Sequence, residues 1–269
     1  MSRRLARLWL LLAGTVCAGY AIASDAATDD RLAFSANGSW LSDDHSGGGG
    51  SVGWLHNFTE ATLADAEVEY ETLADAHWTF GSLSASTAFG PPDGKLNLYA
   101  EGHEGAGDIG THPFDYSIVA AGAVRTFGSH FSLQLEDRQF DIDTTHGNLP
   151  KLGASILWSP KLQTAVAYAH TVAGNLGTNL LSVRIDAYST SVNCLAGAAF
   201  GTASPAVVNL ETGFVQPGKR LNEGFVGVSK PLSRGKLTLV ADYLDLAGIR
   251  RSTLTVSYIV DLGAGGHAR

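Results

Sequence analysis

Over most of residues 32–262 apolar side chains recur at every second position, and this rhythm limits the fold more than any other feature. A strand turns successive side chains to opposite faces, whereas a helix needs apolar spacings of three and four. The closing segment is the clearest case. Leu254, Val256, Tyr258, Val260 and Leu262 alternate with Thr255, Ser257, Ile259 and Asp261. The pattern repeats with Phe131, Leu133 and Leu135 against Ser132, Gln134, Glu136 and Arg138, and with Leu181, Val183, Ile185 and Ala187 against Ser182, Arg184, Asp186 and Tyr188. Clusters of Gly, Asn, Asp, Ser and Pro break it at hairpin intervals.

One strand tests what lies behind the polar face. Ala64, Ala66, Val68 and Tyr70 alternate with Asp65, Glu67, Glu69 and Glu71. Four carboxylates in a row do not form the core of a soluble sandwich, because each unpaired buried charge costs several kcal/mol. They face water on a soluble sheet or a wet lumen in a barrel. The strand count decides between these. Fifteen candidate strands lie between residues 32 and 262, more than a sandwich needs. The expected fold is therefore all-β: an antiparallel up-and-down transmembrane β-barrel of about 14 strands, with 12 as the next choice. A single-chain bacterial barrel has an even number, so one candidate is in excess. The weakest are the first and the pair between 192 and 214.

The chain start is consistent with export. Arg3, Arg4 and Arg7 precede a short apolar run from Leu8 to Val16, and Ala21-Ile22-Ala23 supplies small residues for cleavage. The expected organisation is a signal peptide at 1–23, a disordered leader at 24–31, a barrel at 32–262 and a short tail at 263–269. Cleavage leaves fifteen basic against twenty-six acidic residues, a formal charge of −11. That balance argues against nucleic-acid binding. It also leaves Cys194 alone, so no intramolecular disulfide is expected. The four glycines between Ser46 and Ser51 suggest a flexible hairpin tip, and residues 105–113 a second mobile loop. Phe127–His130 and Ser159–Lys161 suggest short periplasmic turns, with longer loops outside. Trp54, Trp78, Trp158, Tyr99, Tyr168, Tyr243 and Tyr258 are placed in a membrane-interface belt.

No catalytic residue, cofactor or metal is assigned from the sequence. There is no Gly-x-Ser-x-Gly elbow. Asp43, Asp44 and His45 resemble an acid/base group but fit a solvated turn equally well. Glu101 and His103 share one strand face, at most half a metal site. The inward polar face is the better candidate. On the phases above, Asp65, Glu67, Glu69, Glu71, Asn97, Glu101, His103, Gln134, Glu136, Arg138, Arg184, Asp186, Asp242 and Asp261 project inward, and carboxylates outnumber arginines. An open lumen of that kind prefers cations or neutral polar solutes.

The run Glu223-Gly224-Phe225-Val226-Gly227-Val228-Ser229-Lys230-Pro231-Leu232, the following Leu237–Tyr243 segment and the closing strand to Leu262 resemble the last hairpins of YaiO-like outer-membrane barrels. The resemblance is one of rhythm over roughly 32–262. It implies residence in the bacterial outer membrane, contact with lipid, lipopolysaccharide and the outer-membrane assembly machinery, and a link to exopolysaccharide secretion proteins. It supplies no catalytic residues. Three functions stay open: a pore or export channel with an acidic lumen, a closed structural or assembly barrel, and an outer-membrane hydrolase.

Overall fold

A computed structural model describes residues 30–74, 76–142, 145–174, 177–203, 219–246 and 249–262. The expected signal peptide, most of the leader, the candidate strand at 206–214 and the C-terminal tail lie outside the described residues. The chain forms β1 (Asp30–Leu41), β2 (Ser46–Asn57), β3 (Thr62–Leu73), β4 (Ala76–Phe89), β5 (Leu96–Ile109), β6 (His112–Phe127), β7 (Phe131–Ile142) and β8 (Thr145–Asn148). It continues through β9 (Lys151–Ser159), β10 (Leu162–His170), β11 (Ala173–Gly174), β12 (Asn179–Ala187), β13 (Asn193–Ala203), β14 (Lys219–Leu232), β15 (Gly235–Leu246) and β16 (Ile249–Asp261).

All pairings are antiparallel, and β1 pairs with β16 from Arg31↔Asp261 to Leu41↔Arg251, which closes the sheet. Sixteen segments make fourteen staves. β8 and β9 keep a single register against β7, with Gln139↔Asn148 on one side of the break and Glu136↔Lys151 on the other. The break falls at Pro150, which has no N–H to give to the ladder. β11 likewise extends the stave of β10 by pairing with β8. Closure leaves no free edge, the condition a sheet must meet where no water can satisfy its backbone. A twelve-residue strand such as β1 or β3 spans about 40 Å and, tilted by ~45°, crosses an apolar band ~25 Å tall.

The outward face carries that band. Val68, Leu83, Leu98, Val119, Leu135, Leu152, Val166, Ile185, Val226, Leu239 and Val256 are exposed, up to 69% for Leu83. Trp54, Phe89, Phe127 and Trp158 edge it on the side of the chain ends, and Trp40, Tyr70, Tyr168 and Tyr243 edge it on the other, where amphipathic rings suit the headgroup level. At the first edge Asp30 accepts hydrogen bonds from Trp54 Nε1 (3.0 Å) and pairs with His56 Nδ1 (2.7 Å). Trp78 and Tyr99 do not belong to this belt. Their strand parity turns both inward.

The glycine-rich segments also depart from expectation. Gly47–Gly50 lie inside β2, and residues 105–109 and 112–113 lie inside β5 and β6, which meet in a tight turn at Gly110–Thr111. Of the outer turns described throughout, 42–45 has four residues and 110–111 two; residues 204–218, between β13 and β14, lie outside the described residues. Composition alone does not separate a glycine that frees a loop from one that makes room inside a sheet.

Candidate functional site

The barrel interior is built by register. Asp65, Glu67, Glu69 and Glu71 lie on the inner face of β3, and Asn97, Glu101 and His103 on that of β5. Gln134, Glu136 and Arg138 take the same face of β7, Arg184 and Asp186 that of β12, Asp242 that of β15 and Asp261 that of β16. These side chains separate into two walls that stand opposite each other in strand order.

On the wall from β5 to β9 charges are matched. Tyr99 on β5 crosses Gly122 on β6 and donates its hydroxyl to Glu136 on β7 (2.6 Å). Glycine at 122 makes room for this crossing, because a Cβ would stand 2.4 Å from the Tyr99 ring and push it aside. Gln134 Nε2 donates to the Tyr99 oxygen (2.7 Å), and Lys151 Nζ donates to Glu136 Oε2 (2.9 Å). Arg138 bridges Glu101, by a short hydrogen bond, and Glu136 at 3.3 Å. His103 Nε2 lies 3.7 Å from Glu101. Its would-be metal partner is thus held by an arginine, which leaves a half-site without a third ligand among the described residues.

The wall from β14 through β16 to β3 is acid-rich. Glu71 on β3 crosses Gly49 on β2 to accept a hydrogen bond from Asn37 Nδ2 on β1 (2.7 Å). A Cβ at Gly49 would meet Glu71 Cγ at 2.7 Å, so the glycine run serves this reach. Glu67, Glu69 and Glu71 follow one another closely enough to repel. Glu223 on β14 lies beside Asp242 on β15, and Arg251 on β16 faces Asp242 at 4.0 Å with Glu71 and Glu223 near it. In the outer part of this wall three carboxylates, Asp242, Glu71 and Glu223, share one guanidinium, and Glu69 and Glu67 continue down β3 below them. Smaller pairs complete the interior: Arg184 binds Asp186 through Nη2 (2.7 Å) and Nε, Asp65 accepts from Ser84, and Arg31 meets Asp261 at 3.1 Å. Hydroxyl pairs such as Ser35–Ser51, Ser39–Thr253 and Ser229–Thr238 fill much of the remaining surface.

Above both walls, at the end away from the chain termini, the interior turns apolar. Leu41, Leu73, Trp78, Phe80, Phe114, Tyr116, Ile118, Phe140, Leu149, Leu221 and Leu244 pack as one cluster, each nearly inaccessible. Phe80 meets Tyr116 across Gly105 in a T-shaped contact of 6.0 Å, and Gly107 separates Trp78 from Phe114. The outward face changes with it. On β7 Phe131, Leu133 and Leu135 face outward below, and Asp137, Gln139 and Asp141 above. On β4 Leu83 gives way to Thr79 and His77, which pairs with Asp108 at 3.3 Å. Polar outside and apolar inside is the pattern of a water-bathed barrel. The strands therefore continue past the apolar band as a crown with its own core.

The remaining sequence candidates do not join the interior. Asp43 and His45 pair at 3.1 Å in the exposed β1–β2 turn. Periodicity does not single out Lys151, Glu223 or Arg251, and it assigns Tyr99 and the ring residue Trp78 to the outer belt. Glu223 shares its parity with Phe225, and Arg251 stands at a strand start where the rhythm is weak.

No family model and no curated relative matches the chain. Solved structures do match in shape. The chain is similar to the CymD monoaromatic hydrocarbon channel, with a TM-score of 0.59, 8% identity, and 87% of this chain and 88% of that one covered. It is similar to the toluene transporter TodX of Pseudomonas putida, with a TM-score of 0.52 and 6% identity over 90% of each chain. It is also similar to the outer membrane protein Omp33 of Acinetobacter baumannii, with a TM-score of 0.52, 10% identity, and 86% and 98% covered. The shared feature is the fold: the chain is a closed 14-strand β-barrel of the outer-membrane type.

Proposed function

We propose that this protein is a channel of the bacterial outer membrane whose inner passage favours cationic and neutral polar solutes, and whose outer end is closed at rest by the crown. The carrying observation is the unequal charge of the interior, with Glu71, Glu223 and Asp242 gathered around Arg251 and Glu69 and Glu67 following Glu71 down the same wall. Rings of carboxylates favour cations by direct attraction. Two of the similar structures are named as a channel and a transporter, which accords with this reading. A role beside exopolysaccharide secretion, as the YaiO-like resemblance implies, would suit a polymer bearing free amines and not an anionic one.

Planar-bilayer recording of the purified protein tests this. Wild type is expected to open intermittently with cation preference, and Phe114→Ala, which thins the crown core, to open more often. Silence in both proteins, or anion preference, overturns the reading. Silence would favour a second one, a closed scaffold barrel, which the inaccessible crown core and the matched β5–β9 wall support.

A further inference from the structure

The crown is chemically two-sided. Trp78, Phe80, Phe114, Tyr116 and Phe140 come from β4, β6 and β7, so one wall of the apolar ring is aromatic. The opposite wall, by strand order, contains Glu223. It is paired in register with the ring members Ala199 and Leu244, and its side chain is inward and only 8% exposed. Its Oε2 makes no hydrogen bond among the described residues, while the rest of the carboxyl lies against Asp242 and near Arg251. A buried carboxylate oxygen left unsatisfied costs free energy that a positive charge beside it would partly recover.

Solutes differ in how they meet these two layers. A small hydrated cation gains at the carboxylates but must shed water among the aromatic rings. A hydrocarbon crosses the rings freely and gains nothing from the acids. An aromatic cation gains at both, since its ring stacks on the aromatic wall and its charge interacts with ring faces and carboxylates.

We propose that the channel selects amphiphilic organic cations, a compact aromatic group bearing one ammonium centre, with Glu223 as the carboxylate that receives the charge within the crown. This rests on the channel reading above and adds the solute class. Passage requires the ring to part around the solute, and aromatic contacts made during passage replace those it breaks.

The test is a bi-ionic reversal-potential measurement on the full protein in planar bilayers, with tetramethylammonium, phenyltrimethylammonium and benzenesulfonate as probe ions. Phenyltrimethylammonium is the larger cation, so a simple acidic sieve passes it less readily than tetramethylammonium. The expected permeability ratio of phenyltrimethylammonium to tetramethylammonium is about threefold to tenfold above one, the range that one aromatic contact gives. Benzenesulfonate should be excluded. Phe114→Leu keeps an apolar side chain and removes the ring face, so it should pull the ratio toward one. Glu223→Gln should lower the permeability of phenyltrimethylammonium more than that of potassium. Should either variant fail to assemble, the wild-type ratio decides alone. A cation-selective channel with a ratio at or below one overturns this inference and leaves the acidic channel standing. Absence of conductance removes both.

Discussion

The two interior walls use the same residue types to opposite effect. Between β5 and β9, Glu101 and Glu136 are answered by Arg138 and Lys151, and Tyr99 and Gln134 add hydrogen bonds beside Glu136. Between β14 and β3, Asp242, Glu71 and Glu223 share Arg251, Glu69 and Glu67 follow below, and Asn37 donates to Glu71. Satisfied ion pairs in a closed interior hold strands together and leave little field beyond themselves. Unmatched carboxylates stabilise little and project a field into the space they face. The first wall is thus a strut across four strands, and on the proposed channel reading the second sets the sign of the lumen.

This difference has consequences that can be broken one by one. The largest belongs to Arg138→Met, which strands Glu101 and Glu136 on the matched wall. Loss of one partner from a buried pair costs about 3–5 kcal/mol. Urea unfolding in lipid vesicles should register that loss, whereas Glu69→Gln on the acid-rich wall should leave stability unchanged or slightly improved. Equal destabilisation by both would erase the distinction between the walls.

Next come the glycines that let side chains reach a second neighbour. Gly122→Val forces Tyr99 off Glu136, and Gly49→Val forces Glu71 off Asn37. Overpacking of this kind costs about 1–3 kcal/mol. Tyr99→Ala should relieve much of the Gly122→Val defect in a double-mutant cycle, and an additive result would contradict the crossing geometry. The smallest effect is expected from Asn37→Ala, about 1 kcal/mol, the ordinary worth of a lost hydrogen bond. A change in the slope of the unfolding curve with this variant would point to a wider role for Asn37.

Much of this was legible in the sequence, and the misses share one cause. Alternation placed the strands, and the acidic run at 65–71 stood out because four carboxylates on one parity have few alternatives. The same rule misled at Trp78 and along Gly105–Pro113, because the apolar parity of β4, β6 and β7 inverts where the strands leave the bilayer. Below the inversion apolar means outward, and above it apolar means inward. A reader looking for one phase per strand sees the rhythm falter and infers a loop. The glycines compound this. Gly49, Gly105, Gly107 and Gly122 look like hinges until the large residue on the next strand is known, and that pairing is a fact of register. The fifteenth candidate strand, 206–214, falls outside the described residues, and the described staves number fourteen.

The central claim is that the acid-rich wall sets the charge preference of the lumen while the matched wall does not. Reversal potentials under a tenfold potassium chloride gradient test it, with wild type compared to a variant carrying Glu67→Gln, Glu69→Gln and Glu71→Gln. Wild type is expected to be cation-selective, with a reversal potential that collapses toward zero in the triple variant. A wild type that reverses at zero or on the chloride side, or a triple variant as selective as wild type, would contradict it.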